Sequence, residues 1–210
     1  LDKYTLGMDL VNGLGKGERL EHLEAVARAL GRLPHGSLGE GVLGEAGREA
    51  EAFLEKIRSL ENGLPPEWMD VRIEAGDFVL RGVVGPVHGP DHLYPVNAKS
   101  KAKYLLRAWV NHLALHAMTG KGHSTILVFQ DKTRTFNPIG NSAETLESLL
   151  CLYRQGLRIP LAFFPETSMA YAKALVRDGK TREEALEKAL ESWQGSEFAP
   201  IEGESENVYT

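Results

Sequence analysis

Apolar residues recur every three or four positions along the first third of the chain. In "LDKYTLGMDLVNGL" (residues 1–14) and "GERLEHLEAVARALGRL" (17–33) this is helical spacing, and Leu20, Leu23, Val26, Ala27 and Leu30 share one face. "RLPHGS" interrupts the pattern at Pro34 and Gly36. "GEGVLGEAGREAEAFLEKIRSLENG" predicts a longer helix over 39–63, with Pro65 and Pro66 as its stop. The period then changes to two. "MDVRIEA" alternates Val71 and Ile73 with Arg72 and Glu74, which predicts a half-buried strand. Gly76-Asp77 is a turn, and "FVLRGVVGPV" is the returning strand. "DHLYPV" predicts a short third strand or edge, because Pro95 has no N–H for a ladder. Helical spacing resumes from about Lys99 to Met118, with Leu105, Leu106, Trp109, Leu113 and His116 on or near one face. "STILVFQ" reads as a buried strand and "TRTFNPI" as its hairpin partner. Helices follow over Ser142–Gln155, Pro165–Asp178 and Arg182–Gln194, and the tail "APIEGESENVYT" reads as irregular. This order predicts an α/β (α+β) fold in a single domain over 1–210, with a helical part over 1–66 and an α/β core over 67–210.

Composition narrows the function classes. With 210 residues, 42% of them hydrophobic and 25% charged, the chain can bury a sizeable core. A net charge of -5 argues against a basic nucleic-acid coat but leaves room for a local basic patch. The single cysteine, Cys151, excludes an internal disulfide and most cysteine-based zinc sites. Its setting, "LESLLCLYRQGL", predicts a packed core thiol. No apolar run reaches the ~20 residues that span a bilayer. No signal peptide is visible, and the chain begins at Leu1. These features lead us to expect a cytoplasmic piece of a larger protein.

Three local motifs suggest chemistry that their surroundings do not support. "GEGVLG" (Gly39 to Gly44) matches GxGxxG, but a helix and a Pro-Gly turn precede it where a dinucleotide site needs a strand. We expect a Gly-rich helix start that packs closely on another element. His112 and His116 have the i, i+4 spacing of a zinc-protease helix, yet Leu113 stands where the glutamate is needed. They are expected to be core or interface histidines. "GKGHST" (His123, Ser124, Thr125) resembles the tail of a P-loop but leads into a strand instead of a helix.

"NAKSKAKYLLR" is different. Lys99, Lys101, Lys103 and Arg107 occur with no acid between them, and Lys99, Lys103 and Arg107 at i, i+4, i+8 would share a helix face. Such a stripe can bind phosphates by point charge, and the bland alternative is a solvated face. Cations at a helix start also oppose the macrodipole.

The stretch Val71–Trp109 has the strand-strand-strand-helix order found in the core of many metal-dependent DNA nucleases. Those enzymes need an Asp on one strand and Glu/Asp-x-Lys on the next, to hold divalent cations. "VLRGVVGPV" offers no carboxylate after Asp77, and "HLYPVNAK" offers none after Asp91. Both acids fit better as turn residues. No metal ligand set, catalytic residue or cofactor is therefore expected in this domain.

The stretches "LDKYTLGMDLVNGL", "LPHGSLGE", "LRGVVGPV", "KYLLRAWVNHLAL", "LLCLYRQGLRIPLAFFPETSMAYAKAL", "ALEKALESWQG" and "EGESENVY" together resemble the C-terminal domain family of RecC, the gamma subunit of exodeoxyribonuclease V (the RecBCD helicase-nuclease). The resemblance covers Leu1 to Thr210. It implies a restriction-endonuclease-like, PD-(D/E)XK nuclease-like core, flanked by helices, whose active site is degenerate. Active relatives would place a histidine after "PHGSLGE", and by register Glu40 stands near there. The resemblance also implies RecB and RecD as partners, double-stranded DNA ends as substrate, and a role in receiving the duplex and separating its strands. ATP and Mg²⁺ would be used on the other subunits. Phe163, Phe164 and Tyr171 in "RIPLAFFPETSMAY" are candidates for stacking on bases, against the alternative of core aromatics. Two rival readings stand beside this one. One is a protein-docking domain without DNA contact. The other is an active Mg²⁺-dependent nuclease with migrated acids drawn from Glu40, Asp77, Asp91 and Glu144.

Overall fold

A computed structural model describes residues 3–196 and 201–206. Three helices come first: α1 (Lys3–Gly15), α2 (Leu20–Ala29) and α3 (Ser37–Arg58). Strands β1 (Glu67–Ala75), β2 (Phe78–His88) and β3 (Asp91–Val96) lead to α4 (Ala102–Thr119), then to β4 (Ser124–Phe129) and β5 (Thr133–Phe136). Helices α5 (Ser142–Gly156), α6 (Pro165–Val176) and α7 (Arg182–Gln194) complete the main body. The tail is more ordered than its composition suggests. β6 (Gly195–Ser196) pairs with β7 (Ile201–Glu202), and a 3-10 turn covers Glu204–Glu206. Residues 197–200 and 207–210 lie outside the described ones.

The main sheet has five strands in chain order, β1-β2-β3-β4-β5. β1, β2 and β3 form an antiparallel meander, β3 and β4 run parallel, and β5 returns antiparallel to β4. A parallel pair needs a long crossover, and α4 supplies it. β3 is thus interior and not an edge strand, contrary to the expectation from Pro95. The reason lies in the register. β2 reaches β3 only at Val87↔His92 and His88↔Asp91, whereas β4 pairs with β3 along its whole length to Val96↔Phe129. Pro95 therefore lies past the end of β2, where a missing N–H breaks no ladder bond.

Two apolar clusters build the core around α4. Val71, Ile73, Ala75, Val84 and Val87 from the hairpin meet Leu113, Ala114 and Leu115 of α4 and Leu146 of α5. Leu105 and Ala108 meet Leu127 and Phe129 of β4. Residues 112–116 of α4 are all buried, because α4 has the sheet on one side and α5 and α6 on others. α1, α2 and α3 form a separate cluster through Leu6, Leu10, Ala27, Leu33, Leu43 and Ala50. The Gly-rich start of α3 does pack closely: a Cβ on Gly39 would collide with the Pro34 carbonyl. Cys151 is exposed on α5, not packed in the core. The α5 face that enters the core carries Leu146, and Cys151 points away from it.

A histidine network occupies the polar part of the core. His92 of β3 and His112 of α4 converge on Thr125 of β4, and all three residues are buried. The hydrogen bonds assign the protons. The Asn137 carbonyl can only accept, so His112 donates to it from Nε2 at 3.1 Å. His112 Nδ1 is then bare and accepts the Thr125 hydroxyl at 2.8 Å. Thr125 Oγ1 in turn accepts Nδ1–H of His92 at 3.2 Å. His116 donates from Nε2 to the His123 carbonyl at 2.6 Å. The His112 ring lies between Trp109 and His116, at centroid distances of 5.2 and 4.4 Å. Both His112 nitrogens are occupied, so the i, i+4 pair is a core feature and not a metal clamp.

Burial, reinforced by neighbouring imidazoles, pushes His92 and His112 down to about 4. His123 is also lowered, first by burial; the Pro90 carbonyl and Asp91 oppose the shift, and His116 and Lys121 add to it. Folding thus favours neutral rings, while the unfolded chain protonates them near pH 6.5. Their contribution is intact above about pH 6.5 and is lost as the pH falls toward 4. Stability should fall between pH 6.5 and 4.5 with a slope approaching ~1.4 kcal/mol per pH unit for each of these two rings. Urea titrations across that range would check this, and a flat profile would contradict it. Leu113→Ala, at a fully buried position, should lose about 2–5 kcal/mol in the same assay. Val110→Ala on the exposed face should lose about 0.5 kcal/mol or less. Cys151 should react with a thiol reagent in the native state, and reaction only on unfolding would refute its placement.

Candidate functional site

The C-terminal ends of parallel strands are where open α/β sheets commonly receive ligands. Here β3 ends at Val96 and β4 at Phe129, and helices α1 and α3 rise beside those ends. Between them lies a cleft of about 390 Å³. Its charged lining comes from three elements: Lys3 on α1, Glu45 and Glu49 on α3, and Lys99 and Lys101 on the β3–α4 connection. Asn97 and Gln130 lie at the strand ends.

The connection is tied down at both ends. Gln130 N–H donates to the Ala98 carbonyl at 3.1 Å, and its side-chain amide donates to Asn97 Oδ1 at 2.9 Å. Asp131 accepts the Ser100 N–H at 2.8 Å, which holds its exposed carboxyl below the usual range. The N-terminus of α4 has no cap from its own N-cap side chain. Instead Glu166 of α6 accepts the Ala102 N–H at 2.6 Å. Glu204 caps α6 in the same way, accepting the Thr167 N–H at 2.8 Å and the Glu166 N–H at 3.2 Å. These two carboxylates satisfy orphan amides and offset the cations crowded at the start of α4. On the opposite wall, Lys56 of α3 donates to the Phe129 carbonyl at 2.8 Å and fixes α3 to the end of β4.

The four basic candidates are all exposed, but they do not share a helix face. α4 begins at Ala102, so Lys99 and Lys101 belong to the connection and only Lys103 and Arg107 to the helix. Hydrogen bonds to Gln130 and Asp131 hold 97–101 as a bent, non-helical connection, which sequence periodicity does not register. Lys99 and Lys101 turn into the cleft, Lys103 lies over the Tyr104 ring, and Arg107 stands near Tyr94. Lys3, Glu45, Glu49, Asn97 and Gln130 are not singled out by the sequence. Only the i, i+4 spacing of Glu45 and Glu49 signals a shared face.

The stacking candidates fall apart as a group. Phe163 is exposed, Phe164 packs on Trp193 at a centroid distance of 4.4 Å, and Tyr171 is half-buried on α6. Phe163 belongs to a segment that also exposes Leu152, Tyr153, Leu157 and Ile159. The four acids of the rival nuclease reading do not converge. Glu40 starts α3, Asp77 pairs with Arg154 at 2.9 Å on the β1–β2 turn, Asp91 lies at the far end of β3, and Glu144 is on α5. Among the described residues no group of three or more His, Cys, Asp or Glu side chains could hold a metal ion. No helix among them is long and apolar enough to cross a membrane.

Asn97 and Lys99 stand two positions apart where the chain leaves β3. The RecC subunit of the RecBCD enzyme from Escherichia coli (strain K12) is 25% identical over 221 residues, an alignment that covers 100% of this chain and 19% of that protein. The family model described as the RecC C-terminal domain matches residues 1–176, which include every residue lining the cleft. The chain therefore belongs to the RecC C-terminal domain family.

Proposed function

We propose that the chain is a non-catalytic, nuclease-like domain that holds DNA and docks partner subunits within an exodeoxyribonuclease V-type assembly. The single observation that carries this reading is the cleft at the ends of β3 and β4. It keeps a lysine where a nuclease of this design would place one and presents Asn97 where the carboxylate would be. A neutral amide supplies no charge to a divalent cation, whereas Lys99 and Lys101 can still meet phosphate oxygens. The order of helix, antiparallel meander, crossover helix and parallel strand supports a restriction-endonuclease-like core. The family membership supports RecB and RecD as partners, a cytoplasmic site of action and a role at double-stranded DNA ends during recombinational repair. In this reading ATP and Mg²⁺ act on the other subunits. The exposed apolar segment around Leu152, Tyr153, Leu157 and Phe163 supports the docking part.

The test is charge reversal at Lys99, Lys101, Lys103 and Arg107 in the full-length chain assembled with its partners. Affinity for DNA ends should drop, and the slope of log affinity against log salt should become shallower by about 3 if all four meet phosphates. Partner retention should be unaffected, because Lys99 and Lys101 line the cleft and none of the four cations lies on the exposed apolar segment around Leu152 and Phe163. Unchanged DNA affinity and unwinding would leave the protein-docking reading in its place.

A further inference from the structure

The cleft is not uniformly basic, and its two walls differ in sign. Lys99 and Lys101 stand on the strand-end wall, and Lys3 of α1 also lines the cleft. Glu45 and Glu49, one helical turn apart, stand on the α3 wall. These five exposed charges make no ion pair with one another or with any other described residue, although one cleft holds them all. Acids placed opposite lysines weaken binding of a simple polyanion, so a site for phosphate alone does not account for them. They do suit a ligand with an anionic edge and a hydrogen-bond-donating edge on opposite sides. An unpaired nucleotide has both: phosphate oxygens on one side and, in cytosine, an exocyclic amino group on the other.

Size gives the same indication. A volume of about 390 Å³ belongs to the class of small-ligand sites, on the order of 300–1,000 Å³. A duplex, whose major groove alone is ~12 Å wide, cannot enter it. In a duplex the Watson–Crick edge is also occupied.

Resting on the DNA-holding reading above, we propose that this cleft receives single-stranded DNA one nucleotide at a time. Phosphate lies against Lys99 and Lys101, and the base edge faces Glu45 and Glu49. Cytosine is favoured over thymine, because its N4 amino group donates to a carboxylate where thymine presents the O4 acceptor. The fixed connection 97–101 and the anchored end of α3 keep the walls apart without ligand.

The experiment places a photo-crosslinking residue at Val42, on the α3 side of the cleft, in the full-length chain assembled with its partners. Labelled oligo-dC, oligo-dT and a blunt duplex are compared without ATP and in EDTA. The expected result is crosslinking to dC roughly fivefold above dT, with little to the duplex. In Glu45→Gln/Glu49→Gln the preference should vanish, because an amide accepts from cytosine and donates to thymine alike. In Lys99→Ala/Lys101→Ala both single strands should crosslink weakly. Equal dC and dT yields, or a duplex as efficient as either, would overturn this proposal and leave the DNA-holding reading intact. No crosslink to any DNA, together with charge-reversal variants that bind DNA ends normally, would overturn both.

Discussion

The burial of α4 is the constraint on which the rest of the structure depends. A helix with five consecutive buried residues, 112–116, can exist only if packed on several sides, and the sheet, α5 and α6 supply those sides. Its crossover from β3 to β4 makes that pair parallel and sets both strand ends against α1 and α3. The histidine network fixes its rotation about its own axis. His112 cannot turn away from Thr125 and the Asn137 carbonyl without stranding buried polar groups. Burial of His92 and His112 favours their neutral forms, so the same network ties the stability of the fold to pH.

The charge distribution then follows from where the chain ends are held. The protein is acidic as a whole, yet Lys3, Lys99 and Lys101 converge from two distant stretches on one cleft. Carboxylates behind them make this tolerable. Glu166 and Glu204 bind the amides that would otherwise leave α4 and α6 uncapped, and Asp131 binds Ser100. These three carboxylates thus serve as caps and braces. That arrangement is compatible with the proposed DNA-holding role.

Much of the fold was legible as changes of period. The switch from helical to alternating spacing at Met69, and back near Lys99, marked the helices and the meander, because each element buries one face. Pro95 misled because a local rule about ladder donors cannot see that β2 stops short of it. Cys151 misled because an apolar helical pattern was wider than the stripe that α5 buries. The site was half legible. The lysine run was visible as charge, but its non-helical form depends on Gln130 and Asp131, about 30 residues away. Glu45 and Glu49 gave only the signal of a shared helix face, which for a pair of glutamates is ordinarily a solvated one.

The most direct test of a degenerate nuclease kept for holding DNA is a titration of the assembled protein against forked DNA at low and moderate salt. A matched sample lacking this domain serves as reference, and the Mg²⁺-treated DNA is run on a gel with the partner nuclease disabled. The account predicts intact DNA and salt-sensitive binding that weakens when the domain is removed. Cut DNA that depends on this domain, or binding indifferent to its removal, would contradict it.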